Sequence, residues 1–136
     1  MIKEFLLCAA VAGVVAPFGA GPLAAQPAGQ TQGITRTTLQ THDVPGTNYE
    51  AVQGIAEIGP NVPFPRHTHP GDEIGYILQG SLILDVQGQP EQTVAAGKTS
   101  FIPAGTPHSG HAGPAGTKIL EMWIVEKGKP LASSAK

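Results

Sequence analysis

The chain has 136 residues, a formal net charge of −2 and only 13% charged side chains. That length holds one domain at most, and eight lysines and arginines spread along it exclude the clustered basic footprint of a nucleic-acid binder. Eighteen glycines and thirteen prolines punctuate short apolar runs, a pattern of many strands rather than long helices.

Residues 1–25 stand apart from the rest. Lys3, an apolar run from Phe5 to Ala20 and the stretch Leu23-Ala24-Ala25 have the layout of a secretory signal peptide cleaved after Ala25. Pro17 and Gly19 interrupt the run, which argues against an uncleaved membrane anchor. The expectation is a periplasmic or secreted protein with no stable membrane insertion once this segment is removed. Cys8 is the single cysteine and lies inside the segment. The chain beyond it has no disulfide, thiol nucleophile or thiolate metal ligand.

Residues 26–36 are polar and turn-prone and read as a flexible lead-in, with the folded domain over 37–127. "NYEAVQGIAEI" (48–58) alternates as a strand and ends at Gly59-Pro60. "VPFPRHTH" (62–69) has to be extended, because its prolines exclude a helix interior. "EIGYILQG" and "SLILDVQG" are β-rich runs meeting at Gly80, which suits a hairpin, and Gly88-Gln89-Pro90 is the next turn. "EQTVAA" and "KTSFIP" flank a further turn at Gly97, and the run from Thr117 is the longest β-like stretch. Residues 128–136 read as a loose C-terminal tail. Seven to nine short strands without an amphipathic helix make an all-β domain, with Phe101, Trp123 and the aliphatic positions as its core.

The chemistry concentrates in "FPRHTHPGDEIGYILQG" (64–80), which holds two of the five histidines. Residues i and i+2 of a strand share a face, so His67 and His69 project together and Thr68 points away. Pro70-Gly71-Asp72 turns the chain, and Glu73 opens the next strand, where its carboxylate can point back at the two imidazoles. Two imidazoles and a carboxylate suit Mn, Fe, Co, Ni, Cu or Zn better than Ca or Mg. Taken alone, the pair also fits two surface histidines without a role. Further on, "GKTSFIPAGTPHSG" (97–110) places His108 after Pro103-x-Gly105-x-Pro107, a proline- and glycine-dense loop suited to holding one side chain still.

Together the two segments resemble the cupin superfamily, and in particular its small single-domain bacterial members of the cupin-2, quercetin-dioxygenase-like kind. The first cupin motif is met by His67, His69, Glu73 and Gly80, and the second by Gly97, Pro103, Gly105 and His108. The resemblance spans about residues 48–126. Two positions depart from the pattern: seven residues separate Gly59 from His67 where five are usual, and Ala112 stands where the second motif closes on asparagine.

What the resemblance implies is a cupin-type β-barrel (jelly roll) in which His67, His69, Glu73 and His108 bind one divalent transition metal: Fe, Mn, Ni, Zn or Cu. It further implies a metal-dependent enzyme of dioxygenase, isomerase or lyase type on a small organic substrate. The alternative is a non-enzymatic module that binds a small ligand or a metal. A homodimer through edge strands fits an open jelly roll.

Other residues carry weaker signals. His111 is a candidate proton shuttle, although its Gly110 and Ala112 neighbours fit an exposed loop histidine better. His42 is remote from both motifs. Arg66 fits a rim that attracts anions or a solvated charge, and Asp72 fits an imidazole partner or a turn stabiliser. Tyr76 has the opposite parity to Glu73 and should face outward, whereas Gly75 and Ile77 share Glu73's face and imply an apolar pocket. Phe101, Met122 and Trp123 are candidates to line it, against their ordinary role as core.

Overall fold

The structure is a computed structural model describing residues 32–136. The expected signal peptide (1–25) and lead-in residues 26–31 lie outside the described residues. Eight strands follow: β1 Ile34–Asp43, β2 Tyr49–Ile58, β3 Pro63–Thr68, β4 Gly71–Val86, β5 Gln92–Ala95, β6 Thr99–Ile102, β7 His108–Glu126 and β8 Ser133–Ser134. All pairings are antiparallel, with β7 joined to β2, β3 and β4, and β4 joined also to β5 and β6. The sheet curls into the expected all-β jelly roll, although its ladder does not close on itself.

Strand β4 is where the sequence pattern and the structure differ most usefully. It runs unbroken for 16 residues instead of folding into a hairpin at Gly80. Gly80 has φ +71°, and a Cβ there would lie 2.0 Å from the carbonyl oxygen of Gly116, itself at φ +77°. Two strands press backbone to backbone at this level, so the chain kinks instead of reversing. The inward residues pass from odd numbers (Glu73, Gly75, Ile77) to even ones (Leu82, Leu84, Val86) across the register shifts near Gly80. The reversals come later, near Gly88 and Gly97, both at positive φ.

The core lies inside the curled sheet. Ile34, Ile58, Phe64, Ile77, Leu82, Leu84, Val86 and Ile119 belong to one buried cluster, and Val52, Trp123 and Val125 form a second. Complete burial of a side chain such as Ile77 or Val86 contributes about 1.5–3 kcal/mol. Three expectations change here. Ile34 is buried and pairs with Ile58, so order begins inside the expected lead-in. Phe101 is 56% exposed on the outer face of β6, not in the core. The tail is not loose: β8 pairs with β3, and the Ala135 N–H donates to the Arg66 carbonyl.

Candidate metal centre

His67 lies on β3 directly opposite His108 on β7, and His69 follows just past the end of β3. Glu73, near the start of β4, reaches between the imidazoles. Its Oε2 is 3.0 Å from His69 Nε2 and 3.2 Å from His108 Nε2. The three histidines offer nitrogens that all lie within 4.8 Å of one another. Their rings pack with centroids 4.1–5.3 Å apart, and Trp123 stands 5.8 Å from His69. All four side chains that the sequence motifs nominated come together.

The far nitrogens explain the chemistry of the near ones. His67 Nδ1 donates to the Pro65 carbonyl at 2.8 Å, His69 Nδ1 to the Leu131 carbonyl at 2.6 Å and His108 Nδ1 to the Thr106 carbonyl at 3.0 Å. A carbonyl oxygen only accepts, so each Nδ1 carries a proton, and a neutral ring then presents a bare lone pair at Nε2. Burial, the largest influence, pulls His67 down to about 4, so its ring is neutral near pH 7. Burial pushes Glu73 up, but the His108 and His69 imidazoles beside it outweigh that and hold it at about 2, ionised.

A neutral ring at either position would turn its Nε2 lone pair toward this carboxylate. Among the described residues, His69 Nε2 and Glu73 Oε2 are buried without a hydrogen-bond partner despite their 3.0 Å separation. A cation has to stand between such groups, either a proton for each contact or one metal ion for all four. The donor set, three imidazole nitrogens and one carboxylate oxygen, fits a divalent transition ion.

The local fold holds these groups in place. Asp72 does not touch an imidazole; its Oδ1 accepts the Ala104 N–H at 2.9 Å and pins the Pro103–Pro107 loop that presents His108. The two extra residues after Gly59 form a turn closed by the Val62 N–H to the Gly59 carbonyl, with Asn61 at φ +56°. Ala112 is fully buried and its N–H donates to the Val62 carbonyl, so the position is filled by packing and needs no side-chain amide.

Beside the cluster lies a cavity of about 570 Å³. Phe64, Leu82, Leu84, Ile102, Ile119 and Trp123 make its apolar wall, Arg36 and Ser100 add polar groups, and tail residues 130–134 cover one side. Trp123 thus lines the pocket, whereas Met122 and Phe101 point outward. Tyr76 is exposed, and Gly75 and Ile77 face inward as their parity requires. Arg66 pairs with Asp85 at 3.0 Å away from the cavity. His111 is exposed and does not line the cavity, so the proton-shuttle candidate is not brought to the site. His42 is exposed on β1 beside Gln40.

One lining residue escaped the sequence reading. Glu121 is 6% exposed and lines the cavity. Burial, chiefly, and the Glu73 charge push its carboxyl up to about 8, with Arg36 opposing. The signal was present: Glu121 takes an inward position in the alternation Ile119, Glu121, Trp123, Val125, where an acid is out of place.

Comparison with known proteins places the chain further. Residues 54–126 match the family model described as Cupin domain (Cupin_2). A stretch of 70 residues is 36% identical to the dimethylsulfoniopropionate lyase DddW of Ruegeria pomeroyi, covering 52% of this chain and 45% of that protein. The fold superposes on the DMSP lyase DddQ of Ruegeria pomeroyi with a TM-score of 0.64 at 20% identity, over 75% of this chain and 51% of the other. It also superposes on KdgF of a Halomonas species with a TM-score of 0.58 at 19% identity, over 72% and 84% of the two chains. The chain thus spans about half the length of the two lyases, and the structural likenesses are likenesses of fold.

Proposed function

This chain belongs to the cupin family, and on that premise we propose that it is a metal-dependent enzyme of the lyase kind acting on a small organic acid. The observation that carries the reading is the convergence of three Nδ1-protonated imidazoles on an ionised, buried Glu73. In this reading His67, His69, His108 and Glu73 hold one divalent ion, drawn from Fe, Mn, Ni, Zn or Cu. A bound ion supplies Lewis-acid polarisation of a ligand oxygen. Of the reaction classes open to such a centre, the relation to DddW favours the lyase.

The chain's own residues supply the rest. The cavity volume falls in the range usual for small-molecule sites, roughly 300–1,000 Å³. Its apolar wall excludes water from the ligand body, and Arg36, exposed and lining the cavity, offers a charge for a carboxylate.

The test is metal content of the protein from metal-replete cells, followed by release of dimethyl sulfide from dimethylsulfoniopropionate. One ion per chain and sulfide release are expected. Protein that takes up none of the five metals refutes the site. One ion per chain without release removes the lyase reading and leaves the ligand- or metal-binding module.

Two further parts of this reading concern the protein's setting. Export rests on the character of residues 1–25, and a mature N-terminus at Gln26 in the periplasmic fraction is the expected result. Pairing of two copies rests on the outer face of β4, β6 and β7. There Ile74 lies opposite both Phe101 and Met122, with Tyr76 and Leu78 alongside, all exposed. Sedimentation should give a dimer that Ile74→Lys splits.

A further inference from the structure

The inward face of β7 continues past the metal cluster to Glu121. Its nearest neighbours across the sheet are Gly54 on β2 and Gly75 on β4. Residues opposite one another in an antiparallel ladder present their side chains on the same face. Neither neighbour has a side chain, so neither can bring a donor to the carboxyl. Glu121 Oε2 is buried and has no hydrogen-bond partner among the described residues.

The next pair on the same face of the ladder is Glu73 opposite Trp123. Glu121 is therefore the diagonal neighbour of the cluster's carboxylate, at a backbone spacing of about 7–8 Å. The charged groups acting on it are Glu73 from β4 and Arg36 from β1, and Ser100 of β6 lines the same cavity. An unpartnered buried carboxyl costs folding free energy and is not kept by the requirements of packing. It makes sense when a ligand completes its hydrogen bonding.

We propose that Glu121 is the proton-transfer residue of this cavity, exchanging a proton with the small molecule held beside the His67, His69, His108 and Glu73 cluster. The inference rests on the lyase reading above. With dimethylsulfoniopropionate as probe, the carboxylate form of Glu121 takes the proton from the carbon next to the substrate carboxylate. The C–H electron pair becomes the double bond of acrylate, and the C–S pair leaves with neutral dimethyl sulfide. Glu121 then gives its proton to water.

The experiment compares the full chain with Glu121→Gln and Glu121→Leu in three readouts: metal stoichiometry, dimethyl sulfide release, and Tm of the metal-free protein. Metal content should be unchanged in both variants. In Glu121→Gln, kcat should fall by roughly 100-fold or more with KM nearly constant, the scale of a lost proton-transfer group. The Tm of Glu121→Leu should rise by about 5 °C, because an uncompensated polar group is removed. Release by Glu121→Gln at the wild-type rate overturns the proposal. A fall in Tm in both variants also overturns it, since it shows a role in holding the fold. If the wild-type protein binds metal but releases no sulfide, the lyase reading fails separately. A raised Tm then still supports Glu121 as a ligand-facing group, and a lowered one overturns that as well.

Discussion

Two neighbouring rows of side chains inside the curled sheet treat their polar groups in opposite ways. In the first row, the converging side chains of His67, His69, His108 and Glu73, every imidazole is tied down from behind by a backbone carbonyl, and the Glu73 carboxylate lies 3.0–3.2 Å from two of the rings. In the second, Glu121 pairs with two glycines, and its Oε2 has no hydrogen-bond partner among the described residues. The first row is preorganised by hydrogen bonds behind its imidazoles; the second has no such tie. Under the proposed function a site that joins metal to organic ligand would use both arrangements, giving up stability at each.

The comparison breaks most severely if the first row is cut. His69→Ala should lower metal affinity by more than roughly 100-fold and abolish the stabilisation that metal confers, as read by calorimetric titration and by Tm with and without metal. His42→Ala should change neither, and equal losses in the two variants would mean that the ligand assignment is wrong. Deleting residues 129–136 leaves the ligands intact but removes the carbonyl behind His69. A loss of roughly 10–100-fold in metal affinity is expected, in line with a lost partner of a liganding imidazole.

The second row is sharpened by pH. Glu121 has a folded-state value raised from 4.5 to about 8, so over that interval the unfolded chain gives up its proton while the native one keeps it. Its contribution to stability is complete below about pH 4.5 and is lost as pH rises toward 8. Denaturant titrations of the metal-free protein should therefore show Glu121→Gln gaining on wild type through this window. The gain should not exceed about 1.4 kcal/mol per pH unit. A constant difference would show that Glu121 is ionised when buried. His67 and Glu73 act the other way: their contributions are lost as pH falls, from 6.5 to about 4 for His67 and from 4.5 to about 2 for Glu73. The smallest effect is reserved for His111→Ala, which should stay within about 0.5 kcal/mol of wild type and leave metal affinity unchanged.

Much of the first row was legible because its logic is local. The parity of His67 and His69, the turn at Pro70–Asp72 and the stiff loop before His108 are all properties of short segments. The second row depends on neighbours across the sheet. That Glu121 faces Gly54 and Gly75 follows only from the registers of β2 and β4 on β7, between segments far apart in sequence. The kink at Gly80 was misleading for the same reason, since glycine serves a bend as readily as a reversal and the choice was made by Gly116 across the ladder. The glycine-rich stretch 108–116 looks like a loop but is the first half of β7, because β3 and β4 on either side supply its hydrogen bonds. The tail gave no sign of its position, as nothing in "KPLASSAK" announces a carbonyl that will meet an imidazole.

That carbonyl, on Leu131, ties two events into one thermodynamic cycle. The bond to His69 Nδ1 favours the ring form that offers Nε2 to a metal, and the same tail residues wall one side of the cavity. By reciprocity, whatever factor the docked tail adds to metal affinity, bound metal must add to tail docking. Under the proposed function, ion loading and tail docking would then be coupled. Metal would then tighten a tail that is already docked, and the susceptibility of residues 128–136 to a protease would serve as a gauge of metal occupancy.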